Sequence, residues 1–62
     1  PNALFPIVLR GKWGYIDRLG KIVITPQFDE AWNFSEGLAR VQIGDRWGYI
    51  HNAGKYVWNP TN

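Results

Sequence analysis

Hydrophobic and polar residues alternate along "LARVQI", residues 38–43 of the chain. One side of such an extended segment holds Ala39, Val41 and Ile43, and the other holds Leu38, Arg40 and Gln42. A period of two predicts a β-strand with one buried face. Gly44 and Asp45 follow, and they predict a two-residue hairpin turn into "RWGYI" because glycine accepts the positive φ that such turns need.

The same reading extends to both ends of the chain. Asn52, Ala53 and Gly54 predict a second turn, into "KYVW", with Gly54 in the left-handed region. The first part of the chain reads alike: "LFPIVL", a turn at Arg10-Gly11, "WGYI", a turn "DRLG" that ends on Gly20, and "KIVI". Pro26 and Pro60 are expected to end the third strands, since proline cannot donate to a ladder. The pattern therefore predicts an all-β chain of two three-stranded antiparallel meanders, six short strands in all.

The two meanders are copies of one unit. A shift of 34 positions aligns "GKWGYIDRLGKIVITP" with "DRWGYIHNAGKYVWNP", with eight identical residues in sixteen. The shared residues include the motif Trp13, Gly14, Tyr15 and Ile16, which aligns with Trp47, Gly48, Tyr49 and Ile50, and the turn glycines Gly20 and Gly54. We expect a single module over residues 1–62, with a partial repeat at 1–26 and a complete one at 27–62.

The stretch "FDEAWNFSEGLARVQIGDRWGYIHNAGKYVWNP" resembles the WG (or KWG) repeat family, found mostly in bacterial proteins. The resemblance covers nearly the whole chain, and the departures are Arg46 for Lys, His51 for Asp and Asn59 for Thr. It implies a β-rich module, usually in arrays, with a binding or scaffolding role and no catalytic residues. Either a small barrel-like sandwich or a segment of a repeat array fits six such strands.

Pairing across the hairpin turn predicts the faces of the sheets. With Ile43 opposite Arg46, one face of the second meander holds Ala39, Val41, Ile43 and Ile50, a core face with a hollow at Gly48. The corresponding core face of the first meander is Phe5, Ile7, Leu9 and Ile16 around Gly14. Trp13 and Tyr15 then lie beside Val8 and Pro6, in a drier setting than Trp47 and Tyr49 beside Gln42 and Arg40.

The Trp-containing face of the second meander is the candidate binding surface. Its members, with the Trp of the preceding connection, are Trp47, Tyr49, Arg40, Gln42 and Trp32. Trp, Tyr and Arg are enriched at binding hot spots, so the face suits recognition of a protein. The same aromatics suit stacking of sugar rings or bases. In a repeat protein, however, periodic residues are first of all contacts between neighbouring units.

Residues 27–37 connect the two meanders. They contain Phe28, Trp32 and Phe34, so we expect an ordered segment whose aromatics close one end of the sheet. Phe28 and Trp32 are four residues apart and Asp29 can cap a helix, which predicts a short helical turn at this point.

Catalytic chemistry finds little support in the residues. His51 occupies the turn position of Asp17 in the other copy, and Asp29 and Glu30 suit helix capping better than acid–base work. Glu36 is the remaining carboxylate outside the hairpin turns, and a Gly-rich phosphate loop is missing from the sequence. We expect no enzyme activity, no cofactor and no metal site.

Composition narrows the partners. The chain has 62 residues, no Cys and a net charge of +2, with 4 Trp, 3 Tyr and 3 Phe. Chains of this length bury only roughly 60% of their unfolded surface, so aromatic packing or association with another copy has to supply stability. The charges are scattered, which argues against nucleic acid. The longest apolar run, residues 3–9, is too short for a bilayer. Because the chain starts with Pro1 in mid-unit, we expect it to be a piece of a longer protein.

These observations predict a non-catalytic repeat module that acts in protein–protein interaction or as a structural scaffold. Its partner is another protein or a neighbouring repeat, and self-association is expected. The alternative is a module that binds cell-wall glycans through exposed Trp and Tyr.

Overall fold

The computed structural model describes residues 3–52 and 55–61, and this part of the chain contains seven strands and no helix. The first sheet consists of β1 (Phe5–Leu9), β2 (Lys12–Ile16) and β3 (Ile22–Phe28). The second sheet consists of the two-residue β4 (Glu30–Ala31), β5 (Leu38–Ile43), β6 (Arg46–His51) and β7 (Tyr56–Thr61). All pairs are antiparallel, and both predicted meanders are present.

The predicted register of the second meander is confirmed. β5 and β6 pair from Ile43 opposite Arg46 to Leu38 opposite His51, with Gly44 at a φ of 61° in the turn. Gly20 likewise has a φ of 85°, in a turn where the Asp17 carboxylate accepts two backbone N–H bonds. The prediction for Gly54 lies outside the described residues. Local turn chemistry therefore sets the register of β5 and β6, and Gly20 has the predicted left-handed conformation.

The two prolines do not end their strands. β3 continues past Pro26 to Phe28, and β7 continues past Pro60 to Thr61. In the first sheet the register shifts between the pairs Tyr15–Ile24 and Trp13–Phe28, so Pro26 lies in an irregularity where its missing N–H breaks no ladder bond. Gly14 lies against this irregularity, and a Cβ there would come within 2.5 Å of the Ile24 carbonyl oxygen.

One core joins the two sheets. Its buried side chains are Leu4, Tyr15, Ile24, Phe28, Ala39, Val41 and Ile50. The core face predicted for the second meander is confirmed at Ala39, Val41 and Ile50, whereas Ile43 at its end is 39% exposed. The drier setting predicted for the first Trp-Tyr pair is confirmed at the tyrosines, since Tyr15 is fully buried and Tyr49 is half-buried, whereas Trp13 and Trp47 are both half-buried.

The core face predicted for the first meander is wrong. Phe5 and Leu9 are 46% and 48% exposed, and the side of the sheet with Tyr15 and Ile24 is the buried one. Both sides of this sheet are apolar, so the alternation of the sequence does not choose between them. The choice is made by the second sheet, which covers the Tyr15 side.

The strands do not close a barrel. Among the described strands, β1 pairs with β2 alone, and β7 pairs with β6 alone. The architecture is therefore two open sheets joined through one face each, which agrees with the predicted sandwich or repeat segment. Of the described residues, none belongs to a helix that is long and apolar enough to cross a membrane.

In the connection over residues 27–37, Phe28 and Phe34 pack in or against the core, as predicted, whereas the third predicted aromatic, Trp32, is 42% exposed. The predicted helical turn is wrong. β4 pairs with β5 instead, and a tight turn joins Ser35 to Leu38 through two backbone hydrogen bonds. Asp29 caps no helix, since the described residues contain none, and its backbone N–H donates to the Gln42 carbonyl beside the second sheet.

Candidate functional site

The outward Trp face is the side of the second sheet that points away from the core. Its members are Leu38, Arg40 and Gln42 of β5, Trp47 and Tyr49 of β6, and Trp32, which follows β4. Strand pairing sets Gln42 opposite Trp47 and Arg40 opposite Tyr49. Trp32 joins them because its backbone N–H donates to the Arg40 carbonyl at 3.0 Å. All five predicted binding residues therefore share one face.

Three of these residues form a stacked cluster. The Trp32 and Trp47 ring centroids are 4.9 Å apart, with their planes tilted by 46°. The Arg40 guanidinium lies 4.1 Å from the Trp47 centroid and 5.8 Å from that of Trp32. A guanidinium over an indole face is attracted by the ring quadrupole, so Arg40 holds the two rings together. Trp32 stays 42% exposed in this cluster.

The side-chain amide of Gln42 forms a hydrogen bond within its own hairpin. Its Nε2 donates to the Gly44 carbonyl at 2.9 Å, across the hairpin turn that follows β5. Its amide therefore supports the turn, and Gln42 contributes to the outward Trp face mainly through the flank of its side chain beside Trp47.

The first sheet positions Trp32 from the opposite side. The Tyr15 hydroxyl donates to the Trp32 carbonyl at 2.6 Å, and the Tyr15 ring meets Phe34 edge-on with centroids 4.8 Å apart. Burial raises the pKa of Tyr15 to about 12, so the phenol keeps its proton well into the alkaline range. Sequence reasoning missed this link. The signal available was the apolar setting of Tyr15 beside Pro6, which indicates burial but not its partner.

Asp29 joins the two sheets at their edge. Its Oδ1 contacts the Lys12 Nζ at 2.6 Å, and its Oδ2 accepts the Gly44 N–H at 2.6 Å. The Gly44 amide and then the Lys12 ammonium lower the pKa of Asp29 below its ordinary value. The capping role expected for this carboxylate is therefore replaced by a bridge between β2 and the β5–β6 turn.

The remaining titratable candidates lie apart from the cluster. Glu36 has a φ of 54° in the tight turn after Ser35, and His51 ends β6, with its backbone N–H donated to the Lys55 carbonyl. In the part of the chain that the structure describes, His, Asp and Glu form no group that could hold a metal ion. An open cavity of about 450 Å³ is lined by Leu4, Phe5, Phe34, Asn33, Glu36 and Asn52, among others.

The glycines and the first Trp of the two Trp-Gly-Tyr-Ile motifs lie at contacts between strands or between sheets. Trp13 packs against the core, Ile16 is half-buried, and Gly14 and Gly48 are buried. Gly48 lies opposite Val41 on the core face, as the predicted hollow requires.

A family model described as "WG containing repeat" matches residues 13–47, more than half of the 62 residues. The chain belongs to the WG repeat family. The match runs from Trp13 to Trp47, that is, from a point in the first meander to the corresponding point in the second. Searches of curated proteins and of solved structures found no match.

Proposed function

We propose that this WG-repeat chain is a non-catalytic module that acts by protein–protein interaction, as a binding unit or scaffold, through its outward Trp face. The observation that supports it is the exposed cluster of Trp32, Arg40 and Trp47. None of these side chains offers a nucleophile or a general acid–base group at neutral pH. Trp and Arg are instead the residue types that dominate protein-binding hot spots.

The geometry favours a protein over a glycan. A sugar ring stacks on the open face of an indole, but the Arg40 guanidinium already lies 4.1 Å from the Trp47 centroid. The tilt of 46° between Trp32 and Trp47 also prevents the two rings from forming one flat platform. A glycan would have to displace Arg40, whereas a protein side chain or backbone can pack against a tilted, cationic surface. The glycan alternative rests on the 42% exposure of Trp32.

A fluorescence titration separates these functions. Chitin and peptidoglycan fragments are added to about 10 mM, a range that detects millimolar dissociation constants. We expect no saturable change in Trp emission, and the Trp32→Ala variant serves as the matched control. A saturable shift in the parent chain that disappears in Trp32→Ala overturns the proposal and favours the glycan module.

A further inference from the structure

The contact between the two sheets is made by two unlike surfaces. The first sheet contributes the side with Tyr15 and Ile24. The second sheet contributes the side with Ala39, Val41 and Ile50. Tyr15 lies at the centre of this contact and is fully buried, as is Val41 opposite it in the cluster. The two units therefore join head to tail, the Tyr side of one against the Gly48 side of the next.

The chain displays a related version of each surface a second time, although Arg40 and Gln42 of the second sheet replace Pro6 and Val8 of the first. A shift of 34 positions turns Tyr15 and Trp13 into Tyr49 and Trp47 of the outward Trp face. The same shift relates Val41 and Ile50 to Ile7 and Ile16 on the other side of the first sheet. We define the apolar face of the first sheet as Phe5, Ile7, Leu9, Ile16 and Ile22.

The apolar face of the first sheet is more exposed than the corresponding face of the second sheet. Phe5 is 46% exposed, while its counterpart Ala39 is 1% exposed because the Tyr15 side covers it. Leu9 and Ile22 are 48% and 46% exposed on the same face. A contiguous apolar patch of this kind marks an interaction site.

We propose that a second copy of this chain docks head to tail, its outward Trp face on the apolar face of the first sheet. The inference rests on the proposed function and names the partner surface. Each copy then repeats, between molecules, the join that it already makes between its own two sheets. Such a contact is heterologous, so it leaves one face of each kind free at the ends and extends into open chains.

Charge disfavours a twofold dimer that pairs two outward Trp faces. Pairing two outward Trp faces would bring Arg40 against Arg40, and like charges across an interface are unfavourable. In the head-to-tail contact Arg40 meets apolar side chains, and its planar, weakly hydrated guanidinium stays stacked on Trp47. Lys12, which pairs with Leu9 in the ladder, has its Nζ held by the Asp29 carboxylate.

Two variants that block one face each provide the test. Phe5→Lys places a charge in the apolar face, and Tyr49→Lys places one in the outward Trp face. Leu19→Lys is the matched control, because Leu19 is 92% exposed in a hairpin turn away from both faces. Sedimentation velocity follows each chain between about 10 and 500 µM, and circular dichroism confirms that each variant is folded.

The parent chain and Leu19→Lys are expected to form species beyond the dimer as concentration rises. Each blocking variant alone should associate at least about tenfold more weakly, as expected for a hot-spot loss. A mixture of the two should form a 1:1 dimer, because Phe5→Lys keeps an intact outward Trp face and Tyr49→Lys keeps an intact apolar face.

Three results would overturn the proposal. A parent chain that remains at 7.2 kDa overturns the proposal. So does a mixture that associates no better than its components, or a parent chain that stops at a dimer. None of these outcomes affects the function proposed above, which falls only if the sugar titration is positive.

Discussion

At the scale of single residues, burial of one phenol links the core to the candidate site. Tyr15 is fully buried, and its hydroxyl donates to the Trp32 carbonyl, beside the exposed cluster. Burial disfavours the ionised phenolate, which is why the pKa of Tyr15 rises to about 12. The stability of the whole chain should therefore depend on pH through this residue.

The free energy of unfolding should fall as the pH rises from about 10 to about 12, because the unfolded phenol ionises near 10 and the folded one near 12. Below pH 10 both states keep the proton, and this contribution is fully present. Raising the pH from about 8 to about 11 should lower the free energy of unfolding of the parent chain by about 1 kcal/mol more than it lowers that of Tyr15→Phe, as measured by urea unfolding. Parallel pH profiles for the two proteins would rule out the link.

At the scale of elements, two devices hold strands in place. Gly14 of β2 lets the backbone of β3 approach at the irregularity around Pro26, and the Asp29 carboxylate bridges Lys12 of β2 to the β5–β6 turn. The first acts within a sheet, and the second acts between sheets. Gly14 meets the backbone of β3, and Asp29 meets the Gly44 amide and the Lys12 ammonium, so both effects depend on position more than on hydrophobicity.

Gly14→Ala should be one of the most damaging small substitutions in the chain. The new Cβ would lie 2.5 Å from the Ile24 carbonyl oxygen and 2.6 Å from the Pro26 nitrogen, so the backbone must shift. We expect a loss of about 3 kcal/mol, at the upper end of overpacking effects. Gly20→Ala is the control, since its Cβ meets open space and its φ of 85° alone should cost about 1 kcal/mol. Equal midpoints in urea would contradict this ranking.

At the scale of the whole molecule, two similar meanders occupy different environments. Trp13 packs against the shared core, whereas Trp47 contacts Trp32 and Arg40 on the outward Trp face. The two copies of the repeat therefore contribute differently to the stability of the fold. Trp13 contributes to the core, whereas Trp47 contributes to the outward Trp face.

Truncation of the two Trp residues should expose this difference. Trp13→Ala should cost about 3–5 kcal/mol, as for a packed aromatic, and most of the stability of so small a domain would be lost. Trp47→Ala should cost about 1–2 kcal/mol, because it loses a stacking contact more than core packing. Thermal unfolding by circular dichroism at low protein concentration measures both. A larger loss for Trp47→Ala would place Trp47, not Trp13, at the centre of the fold.

Membership of the candidate site could be predicted, but its geometry could not. Strand alternation places Arg40, Gln42, Trp47 and Tyr49 on one face, because the register follows from a two-residue turn. The stacking of Trp32 on Trp47 depends on where the connection returns to β5. That path is set by the β4–β5 pairing and by the Tyr15 hydroxyl, which are contacts between residues distant in sequence.

The sequence by itself determined the 34-residue repeat, the antiparallel meanders, the register of β5 and β6 and the left-handed glycine at position 20. All of these depend on neighbours within one hairpin. Only the tertiary structure decided that the Tyr15 side of the first sheet is buried and that Asp29 bridges the sheets. The physical reason is that the first sheet is apolar on both sides. Its pattern therefore predicts a sheet, but the packing of the second sheet selects which side becomes the core.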